Sequence, residues 1–150
     1  IPEVYLKLDH SPVYANKNFL DLNYISFVGA LSFFDYLKII KLLPGYILVN
    51  PKFYLLPFIG GRYIRTNGFW DYVNLVYSCQ SLACLTSGGA TLSAAFGKSA
   101  KVYYGWGHPQ TNRHSSNDNI MLGGSGFFRR QLCRLLFKKN QIRLLMSKNK

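Results

Sequence analysis

Short β-prone apolar runs alternate with helix-forming segments along most of this chain, and this alternation limits the possible folds more than any other feature. The predicted strands are residues 18–22, 46–49, 73–78 and 101–106. The predicted helices are residues 24–42, 51–63, 81–96 and 125–145, and residues 65–73 and 107–118 are predicted loops. Strands that alternate with helices favour a parallel sheet with helices packed on it. The sequence therefore predicts an α/β fold with a parallel sheet flanked by helices.

The first helix and the second strand carry the clearest patterns. Phe27, Leu31 and Phe34 recur near helical spacing, and Pro44-Gly45 is typical of a helix end. Residues 46–49 form a continuous β-prone run. Such a run is typical of a strand that is covered on both faces, as in a parallel sheet.

Positive charge is concentrated in the last third of the chain. Residues 101–150 hold ten Lys or Arg and one acid, a net charge of +9, whereas residues 1–100 hold eight and five, a net charge of +3. Residues 127–150 hold eight bases and no acid. A domain tolerates such self-repulsion most easily when a polyanion neutralises it, and RNA is the first candidate.

The predicted terminal helix places part of this charge on one face. Arg130, Arg134 and Lys138 are spaced i, i+4 and i+8, so they share a face opposite an apolar stripe. A membrane surface and simple solvation are the alternative interpretations of this basic ridge. The residues predicted to contact RNA phosphates are Arg129, Arg130, Arg134, Lys138, Lys139 and Arg143. The secondary phosphate contacts are predicted at Lys101, Arg113, His114, Arg62 and Arg65.

The length of 150 residues predicts one domain. We expect an N-terminal extension over residues 1–17, an α/β domain over 18–145 and a basic tail over 146–150. The most apolar early run, residues 25–34, is too short to cross a bilayer, which needs about 20 apolar residues. We therefore expect a protein that is not transmembrane, and we find no cleavable leader pattern at its start.

Three cysteines without a CxxC pair predict no disulfide framework and fit a reducing compartment. Cys79 and Cys84 are spaced poorly for zinc, even with His108 and His114 as partners, so no metal site is expected. The six acids offer few candidates for acid–base chemistry, and Asp118 is interpreted as ordering the turn before the last helix rather than as catalytic. No enzyme activity, cofactor or small-molecule substrate is predicted.

Glycine pairs and a glycine-rich run are candidates for phosphate-binding loops. Gly60-Gly61, Gly88-Gly89 and residues 123–126 fit neither the dinucleotide fingerprint nor the P-loop spacing. Residues 123–126 precede the terminal helix, where backbone N–H groups can hold a phosphate. A turn that leads into a helix is the preferred interpretation.

Aromatic residues beside Lys101 offer a possible RNA-stacking platform. Tyr103, Tyr104 and Trp106 lie in a predicted strand of a covered sheet, so a core position is favoured for them.

Several segments, taken in order, resemble the family of the second protein of the small ribosomal subunit, ribosomal protein S-two, in its mitochondrial form. Residues 20–50 resemble the family's first strand, first helix and second strand, which ends in "I-L-F-V-N-T". Residues 67–70 resemble "N-x-x-W", and residues 100–119 resemble the last strand and its "P-G-N-D-D" loop. Residues 127–136 fit the helix that follows that loop.

The resemblance implies a flavodoxin-like or Rossmann-like sheet and a structural role in the mitochondrial ribosome. It implies contacts with small-subunit rRNA between head and body and with neighbouring small-subunit proteins, in support of translation. The chain departs from the family after Trp70, where a coiled-coil hairpin is missing, and at His108, which replaces an acid. The alternatives are an accessory subunit of an organellar membrane complex and a small nucleotide-binding α/β enzyme.

Overall fold

The computed structural model describes residues 8, 10–23, 31–105 and 114–122. Within these ranges the strands are β1 (Asn18–Asp21), β2 (Ile47–Val49), β3 (Tyr63–Ile64), β4 (Ser81–Leu85), β5 (Ala100–Tyr104) and β6 (Asp118–Met121). The helices there are α1 (Phe33–Leu42), α2 (Phe69–Ser78) and α3 (Gly88–Ala95), together with a 3-10 helix at Phe53–Phe58.

The described strands form a single parallel sheet in the order β3-β2-β1-β4-β5-β6. This arrangement confirms the predicted α/β fold with a parallel sheet flanked by helices. The order reverses between β1 and β4, which lie side by side with Phe19 opposite Leu82. A sheet of this order is doubly wound, because the chain builds it outwards in both directions from that pair.

Each face of the sheet has its own apolar core, because alternate strand residues point to opposite faces. Phe19, Leu82 and Val102 pack with α2 and α3 on one face. Leu20 and Leu85 pack with α1 and the 3-10 helix on the other face. Phe19 and Leu20 are completely buried, and burial of each such side chain contributes about 1.5–3 kcal/mol.

Helix α1 begins later than the pattern predicts. Ser32 is its N-cap: the Ser32 hydroxyl accepts from the backbone N–H of Asp35, and the Asp35 carboxylate accepts from the N–H of Ser32 at 2.9 Å. Because of this capping box, α1 begins at Phe33. The prediction that residues 31 and 32 are helical is therefore wrong. Residues 24–30 lie outside the described ranges.

The middle of the chain departs most from the predictions. The predicted strand over residues 73–78 is the second half of α2, and the predicted helix over residues 81–96 contains β4 before α3. Short apolar runs suit a buried helix and a buried strand equally well, so their periodicity does not separate the two. Gly88-Gly89, which interrupted the predicted helix, begins α3.

Three further elements were predicted wrongly or not at all. The predicted helix over residues 51–63 is reduced to the 3-10 helix, since Pro57 has no N–H to donate, and its last residue, Tyr63, begins β3. The two edge strands, β3 and β6, were not predicted: Tyr63 was the end of a predicted helix, Asp118 the end of a predicted loop, and the other residues of both strands were left unassigned. Asp118 begins β6 rather than ordering a turn before the last helix. The predicted terminal helix and basic tail lie outside the described residues.

The segment before β1 is attached to α2. Tyr14 is buried and its hydroxyl donates to Asp71 Oδ1 at 2.6 Å, while the N–H of Ser11 donates to Ser78 Oγ at 2.7 Å. In the part of the chain that is described, no helix has the length and apolar character needed to cross a bilayer.

Candidate nucleic-acid interface

The predicted phosphate-binding residues divide into those inside and those outside the described structure. The latter are Arg113, Arg129, Arg130, Arg134, Lys138, Lys139 and Arg143. The described ones are Arg62, Arg65, Lys101 and His114. The basic ridge therefore stays a prediction.

The four described residues do not form one patch. Arg62 and Arg65 flank the edge strand β3, while Lys101 lies on β5, four strand spacings or about 19 Å away. Lys101 is the register partner of Asp118, an acid that reduces its local charge. His114 Nε2 lies 3.3 Å from Thr91 Oγ1 on α3.

Arg62 instead shares a cleft with a lysine that was not predicted as a site residue. Lys41, in the last turn of α1, and Arg62 both line a cleft of about 330 Å³, which we call the basic cleft. Arg62 Nε donates to the carbonyl of Ile59 at 3.4 Å, which orients its guanidinium group. The described residues that line the cleft include no acid; the others are Leu37, Ile40, Pro44 and Phe58.

An aromatic cluster adjoins the basic cleft through Phe58. The cluster comprises Phe33, Phe34, Tyr54 and Phe58, and the ring centroids of Phe33 and Phe58 are 5.6 Å apart. Phe34 is 77% exposed and Phe58 51% exposed, so ring faces are open to solvent. Cations beside exposed aromatic rings are the combination with which proteins bind single-stranded nucleic acid, since the rings stack on bases and the cations follow phosphates.

A second group of aromatic residues lies on and after β5, where the sequence allowed either an RNA-stacking platform or a core position. Tyr103 is 4% exposed and belongs to the core, which confirms the core interpretation for this residue. Burial is the largest cause of the raised pKa of Tyr103, and electrostatic interactions with Tyr46 and Asp118 raise it further. Trp106 lies outside the described residues.

Cys79 and Cys84 are both free and buried. Burial raises the pKa of each thiol, although nearby Lys98 opposes this effect at Cys79. Across the described ranges, no group of His, Cys, Asp or Glu is arranged to hold a metal ion.

Comparison of the chain with protein-family models, with curated proteins and with solved structures gave no match.

Sequence reasoning identified Arg62 but not Lys41. The pattern placed Lys41 on the solvent-exposed face of a helix, and only the packing of α1 against the segment before β3 brings it to Arg62. The sequence did contain one usable signal, since Phe53, Tyr54 and Phe58 are too many aromatic residues for the buried face of one short helix.

Proposed function

We propose that this chain is a structural rRNA-binding protein of the mitochondrial small ribosomal subunit. The observation that carries the proposal is the basic cleft beside the aromatic cluster. Lys41 and Arg62 supply two cations for phosphates, and Phe58 supplies a ring for stacking. The acid-free charge of residues 127–150 and the resemblance to ribosomal protein S-two support the same role.

The proposal is tested by sedimentation of a mitochondrial lysate at moderate salt, with and without ribonuclease. We expect the chain to migrate with the small subunit and to lose this migration after ribonuclease treatment. Migration with a membrane complex that ribonuclease leaves intact and detergent dissolves would instead support the accessory-subunit alternative.

The basic cleft is tested by charge reversal. We expect Lys41→Glu and Arg62→Glu each to weaken binding of a single-stranded RNA. Each should also lower the salt slope of log Kobs by about 0.7, the value for one lost phosphate contact. Fluorescence anisotropy over a salt series measures both quantities.

Lys17→Glu is the matched control, because Lys17 is exposed, its ammonium group donates to the carbonyl of Val13, and it does not line the cleft. If all three reversals weaken RNA binding equally, the effect is one of net charge and the cleft has no special role.

A further inference from the structure

The sheet reverses its order between β1 and β4, and a second cleft lies at this point. In doubly wound sheets, ligands bind outside the carboxyl ends of the strands where the order reverses. The cavity here has a volume of about 520 Å³, and we call it the switch-point cleft. The lining residues used below are Asp21, Phe69, Tyr72, Ser87, Gly88 and Leu92.

Helix α3 begins in this cleft without a side-chain cap. Ser87 is the N-cap residue, and its hydroxyl makes no hydrogen bond to the first turn. The first N–H groups of a helix have no partner within the helix and carry the positive end of its dipole. Gly88 and Gly89 place no side chain over these groups, so a phosphate oxygen can reach them.

A buried hydroxyl provides an independent indication of a ligand. Ser87 is 6% exposed and lines the cleft, and its Oγ has no oxygen or nitrogen partner among the described residues. Its one described hydrogen-bonding neighbour is the Cys84 thiol, which bonds weakly. Buried hydroxyls are normally well paired, so one that meets only a thiol at the mouth of an uncapped helix indicates a missing strong acceptor.

A carboxylate beside the start of α3 restricts the chemistry of that ligand, because Asp21 binds the Tyr72 hydroxyl that lies against Gly89. Asp21 Oδ2 accepts from the Tyr72 hydroxyl at 2.6 Å, and Asp21 Oδ1 accepts from the backbone and side chain of Asn23 at 2.9 and 2.8 Å. The negative charge of Asp21 repels a bare anion, whereas its carboxylate oxygens readily accept hydrogen bonds from hydroxyl groups. The ligand therefore needs a phosphate at one end and hydroxyl groups nearer Asp21.

An apolar wall completes the cleft, because Phe69 and Leu92 line its remaining side. The Phe69 ring packs edge-to-face with Trp70 at 5.4 Å and is still 68% exposed, so it leaves surface open to a flat group. We infer that the switch-point cleft binds a nucleoside phosphate, with the phosphate at the start of α3, ribose hydroxyls on Asp21 and the base against Phe69 and Leu92.

The test is thermal unfolding of the full chain with increasing concentrations of AMP. We expect the melting temperature to rise with AMP, because a ligand of the native state stabilises it. Gly88→Asp should abolish the rise, or weaken Kd roughly tenfold or more, because a carboxylate then occupies the phosphate position. A side chain at Gly88 meets no neighbour within 4 Å, so the variant is expected to fold.

Gly45→Asp is the matched control, with the same change of charge at another open glycine. Gly45 adjoins Pro44 of the basic cleft, so this variant should weaken AMP binding only if AMP occupies that cleft instead. Ser87→Ala should weaken AMP binding less than Gly88→Asp, since it removes a single phosphate contact.

The nucleotide has two possible sources, a free nucleotide or the end of an RNA chain. A 5′-phosphorylated RNA dinucleotide that binds more tightly than AMP, and loses binding in Gly88→Asp, assigns the cleft to a chain end. Equal or weaker binding of the dinucleotide assigns it to free nucleotides. No melting shift with either probe, or equal shifts in Gly88→Asp and the parent chain, would overturn the inference. Lys41 and Arg62 do not line this cleft, so Lys41→Glu and Arg62→Glu should leave the AMP result unchanged, and the inference and the RNA proposal can fail separately.

Discussion

Two adjacent glycines at the start of α3 have different structural requirements. A side chain at Gly89 would collide with the Tyr72 hydroxyl, whereas one at Gly88 would meet open space. Tyr72 cannot move away freely, because its hydroxyl is bound to Asp21. Position 89 therefore needs a glycine, because the hydrogen bond between Tyr72 and Asp21 holds the Tyr72 hydroxyl where a side chain would begin.

This difference predicts opposite effects for two identical substitutions. We expect Gly89→Ala to lower the free energy of unfolding by about 1–3 kcal/mol through overpacking. We expect Gly88→Ala to raise it by about 0.5 kcal/mol, because alanine restricts the unfolded chain. Urea denaturation measures both values.

A double-mutant cycle identifies the cause. Adding Tyr72→Phe removes the colliding hydroxyl, so Gly89→Ala should cost less in that background than in the parent chain. Equal costs in the two backgrounds would show that the Tyr72 hydroxyl is not the obstacle.

At the scale of elements, the C-terminal end of α2 depends on a single ammonium group. Lys98 Nζ donates to the carbonyls of Val76, Tyr77 and Cys79. These carbonyls carry the negative end of the helix dipole, so a cation there stabilises the helix. Lys98 thereby joins the segment before β5 to the turn between α2 and β4.

We expect Lys98→Met to lower the free energy of unfolding by about 2 kcal/mol, since it leaves charge-assisted hydrogen bonds unmade. Lys101→Met is the control, because Lys101 is exposed on β5. The prediction fails if urea denaturation gives the two variants the same stability.

The N-terminal segment is held to α2 by a bond that depends on pH. Burial, together with the hydrogen bond and charge of Asp71, raises the pKa of Tyr14 to about 12. Tyr14 therefore binds its proton more tightly in the folded protein than in the unfolded chain, where its pKa is about 10. This difference stabilises the fold fully below about pH 10, and the stabilisation is lost as the pH rises through about 12.

The unfolding free energy should therefore fall between about pH 10 and about pH 12, and Tyr14→Phe should remove part of that fall. Chemical denaturation at stepped pH measures the slope. An unchanged slope in Tyr14→Phe would show that other groups account for the pH dependence.

At the scale of the whole molecule, the alternation of segments was sufficient to predict a parallel α/β sheet. Strands β1, β2 and β5 were found because each is a β-prone run followed by a change of pattern. The pair α2 and β4 was missed because both are short, apolar and buried, and only the rest of the sheet decides between helix and strand.

The two clefts show a similar limit. Sequence reasoning named Arg62 and noticed Gly88-Gly89. It could not place Lys41 beside Arg62, or Asp21 beside the two glycines. Both neighbours come from distant parts of the chain. Chemical type is visible in a sequence, whereas proximity across a sheet requires the topology.

The central pairing of β1 with β4 also has a consequence for the order of folding. Phe19 lies opposite Leu82, and α1, β2, β3 and α2 all lie between them along the chain. Before the ribosome has released β4, β1 can pair only with β2, and its other edge stays open. Closing so long a loop is slow and leaves a strand edge exposed meanwhile. We therefore expect the nascent chain to pass through a stage in which the open edge of β1 can pair with a wrong strand.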